Sequence, residues 1–126
     1  MESTLQNYLR IDEKLPSLNE VIAKNRANRY VGAKLKKNVQ ERIGWYIKKA
    51  LADGSLHPVL KESVLNVYYH EKTRRRDVDN IQSAQKFILD ALVEQGILPD
   101  DSQKWVSQIY SKVIHDDSDY VEVWIV

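Results

Sequence analysis

The sequence predicts an α+β domain, a mixed β-sheet with helices packed on one face. Three observations predict it. Two segments rich in β-branched and aromatic residues, 63–71 and 105–126, read as strands. Two stretches, 33–52 and 79–95, carry apolar residues at helical spacing. The two kinds of pattern interleave along the chain, so the helices must cover the sheet their own neighbours build. At 126 residues the chain fits one domain, spanning 1–126.

Composition narrows the function classes. Nineteen basic and eighteen acidic side chains give a net charge of +1. Any attraction to a polyanion must therefore come from local patches. There is no cysteine, which excludes a disulfide framework, a zinc–thiolate site and a cysteine nucleophile. No apolar run is long enough to span a membrane and no signal-peptide core is present, so a soluble cytoplasmic protein is expected.

In chain order, residues 1–4 should be loose, and Tyr8–Ile11 reads as a short strand. Leu15-Pro16 breaks it. Ser17-Leu18-Asn19-Glu20 is a capping box that opens a short helix to about Asn28, with Leu18, Val21 and Ile22 inward. Gly32 reads as a turn. A longer helix follows from Ala33 to Ala52, with an apolar stripe of Leu35, Val39, Ile43, Tyr46, Ile47 and Ala50. Asp53-Gly54 stops it. Ser63–Glu71 is a strand with Leu65, Val67 and Tyr69 on one face. Asp79, with Gln82 three residues on, predicts the start of a helix that Gly96 ends. Trp105–His115 and Tyr120–Val126 read as strands joined by Asp116–Asp119, a β-hairpin with a four-residue loop. The last strand would be an adhesive edge unless paired. Trp45, Trp105 and Trp124 fall on apolar stripes or strands and are expected in the core. His57 and His70 have no partner spacing and are expected to be structural. His115 with Asp116, Asp117 and Asp119 is expected to be a solvated turn.

The chemistry concentrates between Arg74 and Asp101. Three arginines, Arg74, Arg75 and Arg76, precede Asp77 and Asp79, and Asp100-Asp101 lies beyond the helix. Carboxylate-rich clusters suit Mg²⁺ or Mn²⁺, which prefer oxygen ligands. Arginines suit a phosphate backbone. On a continuous helix at about 100° per residue, Lys86 lies on the Asp79 stripe two turns along, roughly 10 Å up. Asp90, one turn further, is placed to hold it. Asn80 either orients a metal-bound water or an aspartate, or only completes the first turn. Arg26, Arg29, Lys34 and Lys37 add a second basic group as phosphate-contact candidates.

These residues resemble the RusA family of Holliday junction resolvases. The resemblance is carried by Arg76-Asp77-Val78-Asp79-Asn80, by Lys86 followed by Phe-Ile-Leu-Asp-Ala-Leu, by Asp100-Asp101, and by the opening Pro16-Ser17-Leu18-Asn19-Glu20. It spans about residues 8–126. In the best-known members the lysine follows the second aspartate by one turn. Here it follows by seven residues, as in a longer-spaced subgroup, and Ser83 occupies the common position by simple counting. The resemblance implies catalytic Asp77, Asp79, Lys86 and Asp101, the three aspartates binding Mg²⁺. It implies a homodimer that places paired, symmetric nicks in a four-way or otherwise branched DNA junction. It also implies a phage or prophage origin, action in the bacterial cytoplasm and no small-molecule cofactor. The alternatives are a non-catalytic branched-DNA-binding accessory protein and a generic α+β interaction domain. Mg²⁺-dependent nicking separates the first, and loss of DNA binding itself separates the second.

Overall fold

The computed structural model describes residues 6–126. The segment 1–4, expected to be loose, lies outside the described residues. The elements run β1 (Tyr8–Ile11), α1 (Leu18–Ala27), α2 (Arg29–Asp53), β2 (Ser63–Glu71), α3 (Val78–Gln82), α4 (Gln85–Glu94), β3 (Val106–His115) and β4 (Tyr120–Ile125). The strands form one sheet in the order β1-β4-β2-β3. β2 runs parallel to β3 and antiparallel to β4, and β4 antiparallel to β1. This is the mixed α+β architecture expected.

The core follows from strand alternation. Leu9 and Ile11, Leu65, Val67 and Tyr69, and Val121, Val123 and Ile125 supply buried rows from three strands. Val39, Ile43 and Ile47 of α2 and Phe87, Ile88, Ala91 and Leu92 of α4 join the same cluster. On the opposite face Tyr8, Val64, Asn66, Tyr68, Glu122 and Trp124 are half-buried. Among the described residues no helix is long and apolar enough to cross a membrane.

Several expectations are corrected. β3 and β4 do not form a hairpin, because β2 lies between them. Four residues extend about 13 Å, enough to step over one strand at about 4.8 Å spacing on each side. The crossing loop is fastened to the end of β2. The Asp116 N–H donates to the Glu71 carbonyl at 3.0 Å, and the Lys72 N–H donates to Asp119 Oδ1 at 2.7 Å. β4 is consequently an interior strand, not an adhesive edge.

Gly32 is not a turn but part of α2. The turn is at Asn28, whose side chain accepts from the N–H groups of Tyr30 and Val31 and so caps α2. Glycine is required at 32 because a Cβ there would stand 2.5 Å from the Asn25 backbone. Leu18 and Ile22 face solvent rather than the core, leaving Val21 as the buried residue of α1. Trp45 is likewise outside the core, at 60% exposure, while Trp105 and Trp124 are half-buried.

The helix expected from Asp79 onward is two helices. Its N-cap is Asp77, and the run breaks at Ser83-Ala84. Tighter bonds appear there, Ala84 N–H to the Ile81 carbonyl at 3.3 Å and Phe87 N–H to the Ala84 carbonyl at 3.0 Å. Bonds spanning three residues overwind the backbone. The simple 100° count from Asp79 to Lys86 therefore does not apply across the break.

Candidate active site

β2 ends at Glu71 and the chain reaches α3 through residues 72–77. Glu71 continues the inward row of Leu65, Val67 and Tyr69, which would bury a bare carboxylate at 4% residue exposure. Arg76 answers it. Its Nε and one terminal nitrogen meet the two Glu71 oxygens at 3.1 and 2.9 Å. The other terminal nitrogen donates to the Leu15 carbonyl at 3.0 Å and lies 3.7 Å from Glu20. This bidentate pair closes the loop that carries Asp77. Glu20 consequently points to Arg76, while Ser17 alone caps α1, accepting from the Glu20 N–H at 3.1 Å.

The first turn of α1 is docked on α3. The Leu18 N–H, which has no partner within its own helix, donates to Ser83 Oγ at 2.9 Å. Ser83 Oγ in turn donates to the Asn80 carbonyl at 2.6 Å, and Asn19 Nδ2 donates to Asn80 Oδ1 at 2.6 Å. Ser83 and Asn80 are thus engaged in holding two distant segments together. Asn19 and Asn80, 61 residues apart in sequence, thus join the Ser-Leu-Asn-Glu opening and the Asp-Asn pair into one structural unit.

The acidic side chains around this unit divide into two groups. Glu71 is taken by Arg76. Asp90 accepts from Lys86 Nζ at 2.9 Å. Asp100 accepts from the Ser102 N–H at 2.8 Å, and the Ser102 hydroxyl first, with that N–H, holds its carboxyl below the usual carboxylate range. Asp77, Asp79 and Asp101 are exposed and make no side-chain hydrogen bond or ion pair among the described residues. Asp77 does not even cap α3 with its side chain.

Lys86 sits in the field of Asp101. Its ammonium is pushed up first by the hydrogen bond and charge of Asp90, and also by the charge of Asp101. It leans toward Asp90 rather than back along the helix. Arg74 and Arg75 are exposed; Arg74, Arg76 and Asp77 line a cleft of about 450 Å³ with Val78, Val113 and His115. Arg26, Arg29, Lys34 and Lys37 are exposed on α1 and α2, where Lys34 and Lys37 line a groove beside Tyr30.

The donor chemistry suits a hard divalent cation, since three carboxylates stand uncommitted. Their present arrangement does not converge: among the described residues no three His, Cys, Asp or Glu side chains form a group that could hold a metal ion. The His115–Asp119 turn is not a metal cluster either. Asp116 meets His70 Nδ1 at 2.8 Å, and Glu122 meets His70 Nε2 at 2.6 Å. His70, stacked at 3.9 Å on Tyr120, ties β2 to β4 and the crossing loop.

Glu71 escaped the sequence reading. A signal was present: an acid on the apolar parity of a strand, with an arginine five residues later, marks a buried ion pair. The docking of Leu18 on Ser83 gives no such signal, because a backbone donor has no sequence identity.

The strand-to-helix junction thus offers exposed carboxylates, arginines and a lysine, groups whose chemistry suits a divalent cation and phosphate. The model of the family described as Endodeoxyribonuclease RusA matches residues 10–126. The chain belongs to the RusA family, as an endodeoxyribonuclease and Holliday junction resolvase. Resolvases of this family are metal-dependent. No curated protein matches the chain.

Proposed function

We propose that the chain acts as a single nuclease domain in which Asp77, Asp79 and Asp101 hold Mg²⁺, or Mn²⁺, and Lys86 serves the cleavage step. The observation that carries this is the division of the acids. Glu71, Asp90 and Asp100 have structural partners, while Asp77, Asp79 and Asp101, the acids the family resemblance implies as ligands, have none among the described residues. The cation, when bound, supplies a water of lowered pKa and charge stabilisation at the phosphate. Asp77 and Asp79 at the start of α3 and Asp101 in the loop after α4 would hold it once drawn together, since they do not converge in the present arrangement. Lys86, held by Asp90, offers a positive group for charge that grows in the transition state.

Arg74 and Arg75 are the phosphate contacts of the triplet in this reading, and Arg76 is the latch that positions Asp77. Lys34, Lys37, Arg26 and Arg29 extend the basic surface along the helices. A homodimer would match the two-fold symmetry of a four-way junction and place paired nicks.

The test uses Asp77→Asn and Asp79→Asn. Each removes a charge and nearly keeps the shape. Junction cleavage should fall by orders of magnitude while junction binding holds, and calorimetric Mg²⁺ titration should lose its heat. Near wild-type cutting by either variant refutes the assignment.

A further inference from the structure

Trp45 is 60% exposed on α2, unusual for the largest side chain in a chain with a well-filled core. Its ring walls two clefts. One, of about 450 Å³, also holds Tyr8, Arg10 and Lys49; the other, of about 580 Å³, holds Lys36, Lys37, Gln40 and Lys48. The ring is held in place from one side by Tyr46, edge-on at 5.5 Å, and Lys49 Nζ lies 5.6 Å from its centroid. At 100° per residue, Lys34, Lys37, Trp45 and Lys48 fall within a stripe about 80° wide. Glu41 and Glu94 are the acids on the second cleft, against three lysines.

We propose that Trp45 and the lysines beside it form a second DNA contact, a stacking platform for an unpaired base of the junction. A base has an aromatic face for the indole. Lysines along the same stripe meet the flanking phosphates. A paired base inside a duplex cannot present its face, so the platform selects frayed or crossover strands over linear duplex. The inference rests on the junction-cutting reading only in taking DNA as the ligand.

The test measures binding of the full chain to a labelled four-way junction and to oligothymidylate, with Ca²⁺ present so that binding is read apart from cleavage. Trp45→Ala should weaken both roughly tenfold, within the range of one lost stacking contact. Trp45→Phe should recover most of that affinity, and oligothymidylate should quench wild-type tryptophan emission more than that of Trp45→Phe. Because Trp45 is exposed, thermal stability should stay near wild type; were the alanine variant unfolded, the phenylalanine variant and the quenching still decide. Unchanged binding by Trp45→Ala overturns the proposal, as does an equal loss for both substitutions. A changed sedimentation state with unchanged DNA binding overturns it too, assigning the face to protein contact. The Asp77→Asn cleavage test bears on the carboxylates alone, so either idea can fail while the other stands.

Discussion

Arg76→Ala should unfold this protein more readily rather than merely loosen its grip on DNA. The Arg76 side chain is 15% exposed and Glu71 only 6%. Removing the guanidinium leaves the Glu71 carboxylate buried without a counter-charge and the Leu15 carbonyl without its donor. Breaking a buried pair from one side costs about 3–5 kcal/mol. Small domains hold about 5–15 kcal/mol in total. With an unfolding entropy of about 2.1 cal/mol/K per residue, that loss lowers the midpoint by roughly 10–20 °C. Replacing both partners, Glu71→Met with Arg76→Met, should recover most of it, since no charge is then stranded. Scanning calorimetry with a parallel urea titration measures both variants. A Tm for Arg76→Ala within about 2 °C of wild type, accompanied by a shallower salt dependence of junction binding, would refute the latch and return Arg76 to the DNA surface.

Other outcomes follow from the same geometry. Lys86→Ala should remove most cleavage with junction affinity within a few-fold, whereas Ser83→Ala should lower thermal stability first, because Ser83 Oγ is bonded on both sides; denaturation and single-turnover rates on both variants separate the roles, and an active Lys86→Ala beside a folded, inactive Ser83→Ala reverses them. Arg74→Ala should reduce the log–log salt slope of junction binding by about 1 in magnitude, read by anisotropy across a salt series. Asp116 is held below the usual carboxylate range first by the Asp117 N–H and then by His70. A depressed folded-state pKa stabilises above the unfolded value and loses that contribution as pH falls through the folded one. The stability gap between wild type and Asp116→Asn should therefore be full at neutral pH and close below about pH 4, in urea titrations across pH.

The parts legible in the sequence were those with local signatures. Ser63–Glu71 is rich in β-branched and aromatic residues, and the apolar stripe of α2 gave that helix to within a few residues at each end. The Asp90 hold on Lys86 was readable because it joins residues four apart. Strand order was not legible, since Val106–His115 and Tyr120–Ile125 look like hairpin arms and only the pairing of β2 with both separates them. Gly32 misled because a small residue serves a close helix approach as well as a turn. The break at Ser83-Ala84 was hidden by an apolar period that runs through it unbroken. Within the site, the family motif pointed to Asp101 over Asp100, while its physical separation from Asp100 lies in the bonding of Asp100 to Ser102, side chain and backbone, that no composition reveals.

That separation offers the most direct test of the central claim, that the uncommitted carboxylates do the chemistry. Single-turnover cleavage of a labelled four-way junction with Mg²⁺ should be compared for Asp101→Asn and Asp100→Asn. The account predicts a loss of several orders of magnitude for Asp101→Asn and a rate within a few-fold of wild type for Asp100→Asn. Full activity in Asp101→Asn, or a collapse confined to Asp100→Asn, would contradict it.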